Sequence, residues 1–207
     1  VLDLTTERFE SLSLPPWVID LYPLELSGGM KQRVVIAVST LMNPKVVVAD
    51  EPTSALDVTS QKIVIKLIKE LFDEGIVKSV IFITHELPIL RHVCDRIAVM
   101  YAGEFVEIGE TEGIIFNPIH PYSQALMQSI LVPEVGIKGK KLPSLPGSPP
   151  DLRKPIKGCR FADRCYLAIE DCRKRTIGMV EFDSRKVRCI RVDHIKAKEE
   201  VVPHVQQ

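Results

Sequence analysis

Asp50 and Glu51 close a short apolar run, Val46-Val47-Val48-Ala49. An Asp at the end of a strand can hold Mg²⁺, directly or through water. A neighbouring Glu can polarise a water for attack on a phosphoryl group. The same pair also suits a solvated turn. About two dozen residues upstream lies Leu26-Ser27-Gly28-Gly29-Met30-Lys31-Gln32-Arg33. Adjacent glycines let backbone N–H groups approach a ligand closely, and they precede a predicted helix whose N-terminus favours an anion. Ser27, the glycine amides and the helix dipole therefore form a candidate phosphate site, with a plain Gly-Gly turn capped by Ser as the other reading. His85 follows a second apolar run, Ser79 to Thr84. From there an imidazole could donate a hydrogen bond to a terminal phosphate, although a lone His at a strand end can equally be structural.

A second group of reactive side chains lies near the end of the chain. Cys159, Cys165, Cys172 and Cys189 follow one another at C-x5-C, C-x6-C and C-x16-C, whereas Cys94 stands alone in an apolar helix end and reads as core packing. Clustered cysteines in a reducing compartment bind metal more often than they form disulfides. The tight C-x2-C knuckle of zinc ribbons is missing, but four thiolates suffice for tetrahedral zinc or for a [4Fe–4S] cluster. Two disulfides and free thiols are the remaining alternatives. Arg160, Arg164, Arg173 and Arg188 could offset the negative charge of such a centre.

The elements that must position these groups follow from periodicity. Val1 to Leu14 reads as the tail of an amphipathic helix with Leu2, Phe9 and Leu12 inward, ended by Pro15-Pro16. Ser27 caps a helix running to about Met42, with a buried stripe of Val34, Val35, Ala37, Val38 and Leu41, and Asn43-Pro44 stops it. Val46 to Asp50 and Ser79 to Thr84 suit parallel strands buried on both faces. A helix over 58–72 closed by Gly75 lies between them, and another covers about 88–94. Arg96 to Tyr101 and Glu104 to Ile108 form a hairpin through Ala102-Gly103. Alternating strands and helices imply an α/β fold with a mainly parallel sheet. Residues 136–158, rich in Gly, Pro, Lys and Ser, read as a linker or arm before a small, separate cysteine module.

Composition narrows the function classes. The 27 Lys and Arg balance 27 Asp and Glu, which gives no electrostatic reason to expect nucleic acid as a partner. No apolar run approaches the ~20 residues of a membrane span. The first ten residues lack the pattern of a secretory signal. A soluble protein that meets membranes only through other proteins is the expectation.

In order and spacing, Leu26 to Met30, the strand ending in Asp50-Glu51-Pro52-Thr53-Ser54-Ala55-Leu56-Asp57, and the strand ending in Thr84-His85-Glu86 together resemble the nucleotide-binding domain of ABC ATPases. Leu21-Tyr22-Pro23-Leu24-Glu25, Met30, His120-Pro121-Tyr122-Ser123-Gln124-Ala125-Leu126, and the tail through Leu145-Pro146-Gly147, Gly158-Cys159-Arg160-Phe161 and Arg164-Cys165 resemble the oligopeptide and dipeptide importers and their nickel-importing relatives. The resemblance implies roles. Asp50 would help bind Mg²⁺, Glu51 would be the general base, and His85 would contact the γ-phosphate. Ser27, Gly28, Gly29 and Met30 would face the ATP of a second subunit in a head-to-tail dimer, and Asp57 would communicate across that interface. It also implies membrane-spanning permease subunits, an indirect substrate-binding protein, a place on the cytoplasmic face of the membrane, and an iron–sulfur cluster at the tail in preference to zinc, with a structural role.

The Gly-x4-Gly-Lys pattern followed by Ser or Thr, which cradles the β- and γ-phosphates, does not occur in these 207 residues. The expectation is therefore a partial P-loop-type ABC domain over residues 1–132, its phosphate loop lying upstream, followed by an extension with the four-cysteine module over 133–207. The complete subunit is expected to be an ATPase that energises import of peptides or a related solute. The alternative is that these residues alone act as a non-catalytic interaction module. An ABC ATPase of DNA repair is disfavoured because no heptad run is present.

Overall fold

The structure is a computed structural model, and it describes residues 2–54, 56–129 and 145–199. Within these, the chain divides into two compact units, Val1–Glu86 and Leu87–Gln207.

In the first unit, β-branched residues build two short strands, β1 (Val46–Asp50) and β2 (Ser79–Ile83). They pair in parallel, from Val46 opposite Ser79 to Asp50 opposite Ile83. Three helices accompany them: α1 (Leu2–Ser11), α2 (Gly28–Thr40) and α3 (Val58–Asp73). Apolar residues of α3 recur at helical spacing, so Val64, Leu67, Ile68 and Leu71 all face the core. Asp57 caps that helix by accepting from the backbone N–H groups of Thr59 and Ser60, both at 3.0 Å. Gly75, at φ 72°, turns the chain out of it.

The core joins Phe9, Leu12 and Leu14 to Ile36, Ala37 and the α3 stripe, and Val47, Ala49, Val80 and Phe82 pack against it. One face of the strand pair is thus covered. The other face, with Val46, Val48 and Ile81, is exposed. The expectation of burial on both faces is not met within this unit, because its core packs against one side of the strand pair. Two smaller differences concern helices. Leu2 is exposed while Phe9 and Leu12 are buried. On α2, Ile36, Ala37 and Thr40 are buried, whereas Val35 and Val38 are exposed. Thr40 can occupy the core because its hydroxyl folds back onto the Ile36 carbonyl at 2.7 Å.

The second unit begins with α4 (Leu87–Val93), followed by the antiparallel pair β3 (Arg96–Tyr101) and β4 (Glu104–Glu110). Ala102 and Gly103 both have positive φ, 50° and 82°, as a tight hairpin turn between right-twisted strands requires. Then come α5 (Thr111–Phe116), α6 (Pro121–Gln128), α7 (Glu170–Lys174), β5 (Val180–Phe182), β6 (Arg185–Val187) and α8 (Val192–Glu199). Strand β6 adds antiparallel to β4, giving the order β3-β4-β6-β5. The cysteine-bearing segment, expected as a separate module, therefore shares a sheet with the hairpin.

Glu107 explains part of that union. It lies on β4, is fully buried, and accepts hydrogen bonds from the backbone N–H groups of Ile119 and His120, both at 2.9 Å. Arg185 of β6 reaches the same carboxylate at 3.4 Å and also donates to the Gly113 carbonyl at 2.9 Å. Removing the carboxylate would leave two buried backbone donors without an acceptor and take the charged partner from a largely buried guanidinium. Glu107→Ala should cost about 3 kcal/mol of stability. Denaturant unfolding checks this, and a loss below ~1 kcal/mol would contradict the assignment.

Candidate functional site

The parallel register of β1 and β2 decides what meets at their carboxyl ends. Asp50 is the last residue of β1 and stands opposite Ile83. One residue on, the Glu51 N–H donates to the Ile83 carbonyl at 2.9 Å, extending the ladder past the strand. Glu51 then takes a left-handed backbone conformation, φ 45°, which a non-glycine residue adopts only at a cost. That turn brings its carboxylate to His85, whose Nδ1 lies 2.7 Å from Oε1. The other oxygen, Oε2, is buried and takes no hydrogen bond from a described protein group.

The His85 ring itself is largely exposed, at 78%. Its pKa is raised, first by the hydrogen bond to Glu51, then by that carboxylate's charge, with a smaller contribution from Glu86. A raised histidine pKa means that the pair favours the folded state below imidazole's ordinary value and that this contribution fades as pH rises through the folded value. The contact is solvent-screened, so it positions more than it stabilises.

Ser27, Gly28, Gly29 and Met30 form the first turn of α2. The Ser27 hydroxyl caps the helix, accepting from the Met30 N–H at 3.3 Å. A methyl built on Gly28 would meet Leu56 at an ordinary 3.7 Å, and on Gly29 would come no closer than 3.4 Å to Ser60. Neither glycine has a positive φ. The fold of this chain thus needs neither glycine for its own packing. Asp57 is occupied as the cap of α3, and its carboxyl is held below the usual range, chiefly by the Ser60 hydroxyl at 2.6 Å. Ala55, between them in the expected inter-subunit loop, lies outside the described residues.

Reading the sequence gave no role to Glu86, Gln61 or Thr53. Their side chains meet at the Glu86 carboxylate, which accepts from both Thr53 and Gln61. The only sequence signal was Glu86 directly after His85.

Cys159, Cys165, Cys172 and Cys189 line one pocket, together with His120, Phe161 and Arg191. All are free thiols, so the disulfide alternative is not realised. The approach is tight at one point: the Cys159 N–H donates to the Cys172 carbonyl at 2.7 Å, and any Cβ at Gly158 would collide with that oxygen. Burial pushes the Cys159 and Cys165 thiols up and Cys189 up to about 11. The donor set suits a soft metal, but no group of three or more described His, Cys, Asp or Glu side chains is placed to hold a metal ion. The expected four-thiolate centre is therefore not formed by these side-chain positions.

The arginines expected to offset such a centre have other partners. Arg160 pairs with Glu104 and bonds the Ala102 carbonyl, and Arg164 donates to Tyr101 and Pro146. Arg188 donates to the carbonyls of Phe105 and Ile177, and Arg173 pairs with Asp163. It is Arg191, which the sequence reading did not single out, whose backbone N–H donates to Cys189 Sγ at 3.3 Å. His120 is buried in the same lining, and burial lowers its pKa to about 4.

Comparison with known proteins agrees with both parts. Residues 5–54 match the family described as ABC transporter, and residues 106–172 match that described as oligopeptide/dipeptide transporter, C-terminal region. The dipeptide transport ATP-binding protein DppD of Caldanaerobacter subterraneus is 41% identical over 184 residues, covering 88% of this chain and 56% of the relative. The oligopeptide transport ATP-binding protein OppD of Salmonella typhimurium is 44% identical over 152 residues, covering 73% and 44%. A solved metal-chelate type ABC transporter in an inward-facing conformation superposes with a TM-score of 0.53 at 26% identity, over 60% of this chain and 47% of that one. The chain spans about half the length of the curated relatives it matches.

The Glu51–His85 contact can be read directly. In a pH titration followed by NMR, His85 should titrate above the ordinary imidazole value, and Glu51→Gln should bring it back down. An unchanged His85 titration in the variant would exclude the contact in solution.

Proposed function

We propose, from the premise that this chain belongs to the ABC transporter ATP-binding proteins of the oligopeptide/dipeptide branch, that the full-length subunit hydrolyses ATP to drive import of peptides or a related solute such as nickel. The observation that carries this reading is the pairing of Glu51 with His85 at the ends of adjacent parallel strands, since open α/β sheets bind ligands beyond the carboxyl ends of their strands.

Each residue then has a task. Asp50, exposed at the strand end, helps hold Mg²⁺. Glu51 takes a proton from the attacking water. His85 donates from its exposed ring to the γ-phosphate. Ser27, Gly28, Gly29 and Met30 present a helix N-terminus to the nucleotide of a second ATPase subunit. The lack of any internal packing need for the two glycines supports that outward role. Asp57, at the start of α3, lies at the same interface.

The partners in this reading are that second subunit, membrane-spanning permease subunits and, indirectly, a substrate-binding protein, with no nucleic acid. The subunit sits on the cytoplasmic face of the membrane. No described helix is long and apolar enough to cross a membrane, so the permeases provide the passage. Residues 1–132 belong to the ATPase domain and 133–207 to its extension; the arm 136–158 lies partly outside the described residues. The β- and γ-phosphates are cradled by a phosphate loop outside these 207 residues.

Glu51→Gln in the full-length subunit should leave ATP binding intact and lower hydrolysis by at least about a hundredfold, the usual contribution of a positioned base. Turnover at the wild-type rate would refute the assignment.

The finer part of the proposal concerns the four-cysteine pocket, whose single support is that four free thiols share one lining. An iron–sulfur cluster, with zinc as the alternative, would draw them inward, tie α7 and the segment before α8 to the hairpin sheet, and contribute folding free energy. Its role is structural. Anaerobically prepared protein should contain iron and absorb broadly near ~400 nm. Neither iron nor zinc on analysis, with all four thiols alkylated in the folded state, would remove the metal from the proposal.

A further inference from the structure

One carboxylate ties together three segments around the Glu51–His85 pair. Glu86 follows His85 directly, and its N–H donates to the Thr84 hydroxyl at 3.0 Å. Its side chain turns toward the other strand end. There Oε2 accepts from the Thr53 hydroxyl at 3.4 Å, and Thr53 is fully buried. Gln61, on the second turn of α3, donates its amide to Oε1 at 3.2 Å and to Oε2 at 3.4 Å. The same amide reaches the Thr53 carbonyl at 3.4 Å. The backbone around Thr53 is the turn that holds Glu51 at positive φ: the Ser54 N–H donates to the Glu51 carbonyl at 3.1 Å, and the Leu56 N–H to the Thr53 carbonyl at 3.3 Å.

From this geometry we propose that Glu86 and Gln61 are positioning residues that hold the Glu51 turn and the His85 segment at a fixed separation, so that the base and the phosphate donor act as one unit. The proposal rests on the ATPase reading above. Its physical logic is simple. Glu51 is in a backbone conformation that relaxes unless its surroundings over-determine it. Two strands of five residues leave the segments beyond them free to drift. A carboxylate that receives both a hydroxyl from one segment and an amide from a packed helix restricts that freedom by acting on both segments at once. Neither Glu86 nor Gln61 needs to touch the nucleotide. A small displacement of a catalytic group is costly even when nothing else changes.

Two measurements test this. In the full-length subunit, Glu86→Ala and Gln61→Ala should each lower kcat by about tenfold or more, with the KM for ATP-Mg²⁺ changing less than about twofold. The exchanged pair, Glu86→Gln with Gln61→Glu, restores a carboxylate-to-amide bond in the opposite sense and should recover most of the rate. A merely destabilising effect would not recover in this way. In the 207-residue chain, amide hydrogen exchange over 51–56 should accelerate in both alanine variants while the centre of α3 keeps its protection. Wild-type kcat in both variants, a rise in KM at constant kcat, or unchanged exchange over 51–56 would overturn the proposal. If the wild-type full-length subunit does not hydrolyse ATP, the functional reading fails on its own, and the exchange result still decides whether the clamp exists.

Discussion

Everything at the candidate site depends on the register of two five-residue parallel strands. Val46 to Asp50 runs opposite Ser79 to Ile83 without offset. Side chains along a strand alternate between faces, so a slip of one residue would turn Glu51 away from His85 and invert which residues of the shifted strand meet the core. The hydrophobic pattern prevents that slip. Val47, Ala49, Val80 and Phe82 pack against the core built by α1, α2 and α3, and moving either strand by one would exchange them for Val46, Val48 or Ile81. The geometry of the candidate site is thus fixed by an apolar constraint several residues away from Glu51 and His85. The polar contacts at the strand ends then refine it.

Those polar contacts are graded by their exposure. The Glu51–His85 pair is open to solvent, which weakens it as a stabilising interaction and leaves the ring accessible. Thr53, by contrast, is completely buried, and its hydroxyl meets a half-buried carboxylate. The positioning group is therefore the less hydrated of the two, as expected where a rigid support carries an accessible reactive group. Among the described residues of the site, Glu51 is the one at positive φ, where the chain leaves β1.

The second unit is built on a different principle. A fully buried carboxylate, Glu107, organises the segment 117–120 and reaches Arg185 of β6, so a strand from the C-terminal part of the chain completes the sheet of the β3–β4 hairpin. Arg160, Arg164 and Arg188 add bonds from the cysteine-bearing segment to the hairpin and its turn. Tyr101, Tyr122 and Phe161 pack ring against ring in the same region, at centroid separations of 4.6 to 5.4 Å. The four thiols line a pocket within this framework, and what brings them there is the arginine and aromatic packing rather than their own spacing in sequence.

Local signals in the sequence determined the element types. The apolar runs, the Ser27 cap, the Gly75 stop and the Ala102-Gly103 turn each act over a few residues, so they could be read without tertiary context. The motifs around Ser27, Asp50 and His85 were legible for the same reason. Tertiary structure decided which faces are covered and which side chains meet. It exposed Val35 and Val38 in favour of Ile36 and Thr40, left one strand face open, brought Glu86 to Thr53 and Gln61, and gave Arg160, Arg164 and Arg188 to the hairpin. The contacts among these join residues tens of positions apart. Burial of a charged group such as Glu107 depends on partners in other segments that only the folded chain supplies, and no local pattern carries that information.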